Sequence, residues 1–132
     1  MVAPALLLAG LAAGCGDDNS STVTPTPPVQ ISETFAGRVT VNGAFSHTFV
    51  VQRAGAVTAQ LTALAPDDTV TIGVALGTWN GISCQLIITN DAAKLSSNTT
   101  GTATGPGSLC LRVSDIGQLS APTDYEIRVD HF

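Results

Sequence analysis

Hydrolysis by a nucleophile and a base needs a histidine beside a serine or cysteine, with a carboxylate to orient it. Only His47 and His131 are available for that role. His131 is the penultimate residue, where a solvated ring is expected. His47 lies between Phe45 and Phe49 and reads as a structural, hydrogen-bonded histidine. No G-x-S-x-G elbow is present. No catalytic residue is therefore assigned, and no enzyme activity is expected. Asp67-Asp68 with Asp115 or Asp124 offers oxygen ligands of the kind calcium takes. Pro66-Asp67-Asp68 is also ordinary turn chemistry, and neither an EF-hand nor a repeat-type calcium spacing occurs, so no metal or cofactor is assigned. The single tryptophan, Trp79, stands in Gly77-Thr78-Trp79-Asn80-Gly81. An aromatic on a loop can stack on a sugar ring or anchor a protein partner, which makes Trp79 and Asn80 the candidate binding residues. The alternative is a tryptophan folded back over the end of the domain. Asn98-Thr99-Thr100 is formally a glycosylation sequon.

The cysteines divide into two groups. Met1 to Gly14 is an apolar, uncharged run of 14 residues, short of the ~20 that a membrane span needs. It fits the apolar region of an export signal. Leu11-Ala12-Ala13-Gly14 before Cys15 resembles a bacterial lipobox, where small residues precede an obligatory cysteine. That resemblance implies cleavage before Cys15 and a diacylglycerol thioether, with palmitate among its acyl chains, on Cys15. A buried apolar helix and a plain secretory leader are the competing readings. The abrupt switch to Gly16-Asp17-Asp18-Asn19-Ser20-Ser21 favours the lipoprotein. In enterobacteria an acidic residue after the cysteine favours retention in the inner membrane, so Gly16 points to the outer membrane of the cell envelope. Three cysteines are an odd number for an exported chain. Lipidation of Cys15 leaves Cys84 and Cys110 as a pair, expected to form a disulfide worth on the order of 3 kcal/mol. Zinc is the rival, but two isolated cysteines make a poor site. Strict alternation puts Cys84 on the side of Leu86 and Ile88, and Cys110 opposite Leu109, Leu111 and Val113. A bulge, or a strand starting after Cys84, would reconcile the two.

These residues must be carried by something. The chain has 132 residues, enough for one domain after a leader and linker. Its net charge is −5, and Arg38, Arg53, Lys94, Arg112 and Arg128 are scattered singly. No basic patch exists to neutralise phosphates, so nucleic-acid binding is not expected. Pro25, Pro27 and Pro28 bias the linker toward an extended tether, which together with Cys15 occupies residues 15–32. From Glu33 to Phe132 the period is two. Phe35 and Val39 share a face, and Asn42-Gly43 signals a hairpin. Phe45, His47, Phe49 and Val51 alternate with Ser46, Thr48, Val50 and Gln52, and Val57, Ala59 and Leu61 with Thr58, Gln60 and Thr62. Val70 to Leu76, a strand ending near Asn90, a short edge strand near Thr99 to Thr104, Leu109 to Val113 and Tyr125 to Val129 follow. About seven or eight such strands predict an antiparallel β-sandwich.

Ala54-Gly55-Ala56-Val57-Thr58-Ala59-Gln60-Leu61 and Ala65-Pro66-Asp67-Asp68-Thr69-Val70-Thr71-Ile72-Gly73 resemble the bacterial pre-peptidase C-terminal domain. Gly107 to Val113 and Asp124 to Val129 resemble its closing strands. The resemblance spans residues 34–131. It implies a jelly-roll-like sandwich and an accessory role in secretion, solubility or substrate binding beside a secreted hydrolase. The expectation is a non-catalytic, lipid-tethered module for binding or adhesion to a glycan or protein. The alternative is a structural subunit of an envelope or extracellular assembly.

Overall fold

The structure is a computed structural model, and it describes residues 26–132. The leader and Cys15 lie outside the described residues. Eight strands follow one another: β1 (Ile31–Val39), β2 (Ala44–Val51), β3 (Gly55–Ala65), β4 (Ile72–Trp79), β5 (Cys84–Ala93), β6 (Asn98–Ala103), β7 (Gly107–Ser114) and β8 (Thr123–His131). All pairings are antiparallel. The expected β-sandwich is present: two four-stranded sheets, β1-β8-β3-β6 and β2-β7-β4-β5.

The alternation of side chains explains the strands. In β8, Thr123, Tyr125, Ile127, Val129 and His131 are buried, while Asp124, Glu126 and Arg128 face water. Branched and aromatic residues at every second position give a ribbon one apolar face, which needs a second sheet to cover it. Leu61, Ile127, Val39 and Val129 from one sheet meet Ile72 and Leu111 from the other, all essentially without exposure. β3 keeps Leu64 in the core by a bulge after Leu61, which resets its phase.

The connections are less regular than the sequence suggests. Asn42-Gly43 does make a turn, with Asn42 at φ 58° and the Gly43 N–H donating to the Thr40 carbonyl at 2.9 Å. It is not a hairpin, because β1 and β2 lie in different sheets. Asp115 explains why the chain turns across instead. Its Oδ2 accepts the Asn42 N–H at 2.8 Å, and its own N–H donates to the Gly43 carbonyl at 2.9 Å. The turn is thus tied to the loop after β7. Only β4 and β5 are consecutive and paired. Every other pair joins strands distant in sequence: β3 with β6, β2 with β7, β1 with β8, β3 with β8 and β4 with β7. The pairs β1–β8, β2–β7, β3–β6 and β4–β5 make one two-stranded ribbon of eight strands, folded at the β4–β5 hairpin and rolled up so that β3 meets β8 and β4 meets β7, the jelly roll.

Candidate functional site

Cys84 opens β5 and Cys110 lies in β7, with β4 hydrogen-bonded between them. The disulfide is nonetheless formed, and the two Cα atoms are 5.7 Å apart. The geometry requires the start of β5 to lean over the outer face of β4 toward β7. Gly77 permits this. A Cβ at Gly77 would run into the Gln85 carbonyl, so the glycine leaves the space through which β5 passes. The conflict of phase is solved by a bulge. Gly77 pairs with Leu86 but Leu76 pairs with Ile88, leaving Ile87 as the extra residue. Cys84 and Leu86 therefore face outward with Cys110, while Ile88 turns toward the sheet interface. Cys110, on the outer face, is completely buried beneath this overhang.

Trp79 was expected in a loop, and it is instead the last residue of β4. The strand runs further because Gly77 and Thr78 still pair with Cys110 and Leu109. By register Trp79 shares the outer face with Gly77 and Ala75, and it is half-buried. The hairpin beyond it folds against β2 and β7 and encloses an open groove of about 420 Å³. Trp79, Ile82, Ser83, Phe45, Ser46 and Arg112 line it. Asn80 serves the hairpin itself. Its side-chain oxygen accepts the N–H groups of Ile82 and Ser83 at 2.9 and 2.8 Å, so it shapes the groove from below the loop tip. Arg112, Ser46 and Phe45 carried no local motif. They meet Trp79 only because β7 pairs with both β2 and β4.

A second apolar feature lies on the β5 edge. Ile82 is 87% exposed and Ile87 68%, with Leu86 and Ile88 beside them. A cleft of about 360 Å³ opens there between β5 and β6, lined by Leu76, Ile88, Gly101 and Leu109.

The histidines close the opposite side of the sandwich. His47 Nε2 lies 2.6 Å from the Tyr125 hydroxyl, and its ring packs on Phe35 and Phe45. Burial lowers the pKa of His47 and pushes that of Tyr125 up to about 12. His131 is not solvated. It is 1% exposed, and its Nε2 is 2.6 Å from Glu33 Oε2. The alternation of β8 continues to its last residue, so His131 inherits the inward phase of Val129. The two histidines are separated by Phe49, which packs on His131, and Phe35, which packs on both His47 and Phe49.

Asp67, Asp115 and Asp124 are each engaged separately. Asp67 accepts from the Thr69 hydroxyl and N–H, which lowers its pKa. Asp124 pairs with Arg38 at 2.7 Å, which also lowers its pKa. Asp115 accepts the N–H groups of Asn42, Gly117, Gln118 and Leu119. Among the described residues no three acidic, histidine or cysteine side chains converge as a metal site would require.

In comparison with known proteins, no protein-family model matches the chain and no curated protein is similar to it.

Proposed function

We propose that this chain is a non-catalytic binding module, exported and held through a lipid on Cys15 at a bacterial envelope membrane, the outer membrane by preference. The pre-peptidase C-terminal resemblance is consistent with such a role, since that family supplies accessory sandwiches. The observation that carries the reading is the groove on the outer sheet face. It combines the only tryptophan with an arginine and is walled by a hairpin that a disulfide pins in place. A pocket of several hundred cubic ångströms with an apolar floor and a few polar groups has the anatomy of a ligand site. Preorganisation by the disulfide lowers the entropy lost on binding. The partner is a glycan or a protein. Full-length wild-type protein and Trp79→Ala are to be compared on glycan and peptide arrays. The variant should lose the wild-type signals, and signals that persist undiminished would remove Trp79 from the contact surface. Labelled palmitate, fed to a bacterial host, should enter the wild-type chain and not Cys15→Ala.

The apolar β5 edge favours a second reading, a structural subunit that self-associates. Contiguous exposed aliphatic residues on an edge strand are a docking liability unless covered. Sedimentation of the wild type and Ile87→Lys across a wide concentration range decides it. A strict monomer in both rules out assembly through β5.

A further inference from the structure

We infer that the groove beneath the β4–β5 hairpin takes an anionic sugar, a uronic-acid residue within a glycan, with its ring against Trp79 and its carboxylate on Arg112. This rests on the reading of the groove as a ligand site. The decisive residue is Arg112. It projects from the outer face of β7, and its cross-strand neighbours are Ser46 on β2 and Ala75 on β4. Neither can neutralise it. Among the described residues the ion pairs are Arg38 with Asp124 and Arg128 with Asp130, and Glu33 is taken up by a contact with His131. Arg112 has no acidic partner and no side-chain hydrogen bond there, although the chain as a whole carries a charge of −5. It is also half-buried, so part of its hydration is already lost. Among the described residues no carboxylate lines the groove.

A guanidinium presents a planar fork that matches a carboxylate in two parallel hydrogen bonds. The other lining groups restrict which carboxylate fits. Trp79 offers a flat apolar surface that suits the C–H face of a sugar ring. Ser46 and Ser83 each supply a hydroxyl that both donates and accepts, as sugar hydroxyls require. The groove is open to solvent, which suits a residue inside a polymer. A polyphosphate would satisfy Arg112 but has no apolar ring face to lay on Trp79. A neutral sugar would leave Arg112 unpaired.

The single tryptophan makes the test direct, because its emission reports on the groove alone. The full-length chain is titrated with oligogalacturonate, alginate oligomers, neutral cello-oligosaccharide of matched length and a short peptide with a free C-terminal carboxylate. Saturable emission shifts are expected with a uronate oligomer, with at least tenfold weaker binding of the neutral sugar. Arg112→Gln should weaken uronate binding at least tenfold, and Arg112→Lys should recover only part of it. Circular dichroism and a thiol count establish that each variant is folded and bridged. Equal binding of neutral and acidic sugars, or no effect of Arg112→Gln, overturns the uronate assignment and leaves the groove a sugar site. Response to the peptide alone overturns the sugar and leaves a protein-binding groove. Silence toward every probe overturns both this inference and the reading beneath it.

Discussion

The hydroxyl of Tyr125 on β8 lies 2.6 Å from Nε2 of His47 on β2, joining the two sheets through their interior. With the ring neutral, the hydroxyl donates and the nitrogen accepts. Protonation would remove the acceptor in a half-buried site. The pKa of His47 is lowered from 6.5 by burial, so the unfolded chain binds the proton more readily. Stability is therefore present above pH 6.5 and declines as pH falls below it. A second decline is expected below pH 3.8, where Asp67, Asp115 and Asp124 have lowered values. Tyr125 acts in the opposite sense, and its contribution is lost as pH rises from 10 toward about 12. Urea midpoints measured from pH 7 to pH 5 should fall less steeply in His47→Gln. An unchanged slope would show that His47 is not the titrating group.

Reduction of Cys84–Cys110 should lower stability by about 3 kcal/mol, since the bridge closes a loop across 26 residues. It should also shift Trp79 emission to the red, because the overhang is then free to lift from β7. Urea unfolding with and without reductant measures the first effect and steady-state fluorescence the second. Equal midpoints would mean that the hairpin holds its place unaided.

Two glycines in the same region should respond in opposite ways. Gly77→Ala puts a methyl group into the Gln85 backbone, which cannot swing aside as a side chain would. The expected cost is about 2–3 kcal/mol. At Gly101 an added Cβ sits 3.4 Å from Ile88, in ordinary contact. Gly101→Ala should be neutral or up to about 1 kcal/mol more stable. Thermal or urea unfolding of the two variants side by side is the check, and equal effects would contradict the crossing of β5 over Gly77.

Asp115 gathers four backbone N–H groups from two loops. Asp115→Ala should depress the melting temperature more than Asp67→Ala, since Asp67 serves only Thr69. Asp115→Asn should fall between wild type and Asp115→Ala, because it keeps one acceptor oxygen. Hydrogen exchange at Gly117 to Leu119 should accelerate in the alanine variant.

Alternation alone made most strands legible, because burial on one face imposes a period of two wherever the strand lies. The same period is silent about partners. The Asn42-Gly43 dipeptide signals a turn but not that the turn crosses between sheets instead of making a hairpin, a crossing tied to Asp115 from far along the chain. The pairing of Cys84 with Cys110 was readable from the cysteine count. The bulge at Ile87 that permits it was foreseen only as one of two solutions, since a bulge has no residue signature here. Trp79 was readable as a rare residue, but Arg112 and Ser46 join it through long-range register. His131 was misjudged by its position at the end of the chain. The phase of Tyr125, Ile127 and Val129 was the better guide.

The register of the outermost ladder has a mechanical consequence. Ile31 is the direct partner of His131, so the first and last rungs of β1 and β8 lie together at one end of the ladder. A pull on the chain before Ile31 against the chain after His131 loads those rungs one at a time. The pair therefore peels like a zipper at low force, whereas strands gripped at opposite ends would resist in shear. Any tether at the N-terminal side holds the domain from this corner, and tension between the two ends would strip β1 before it disturbed the disulfide or the groove on the other sheet.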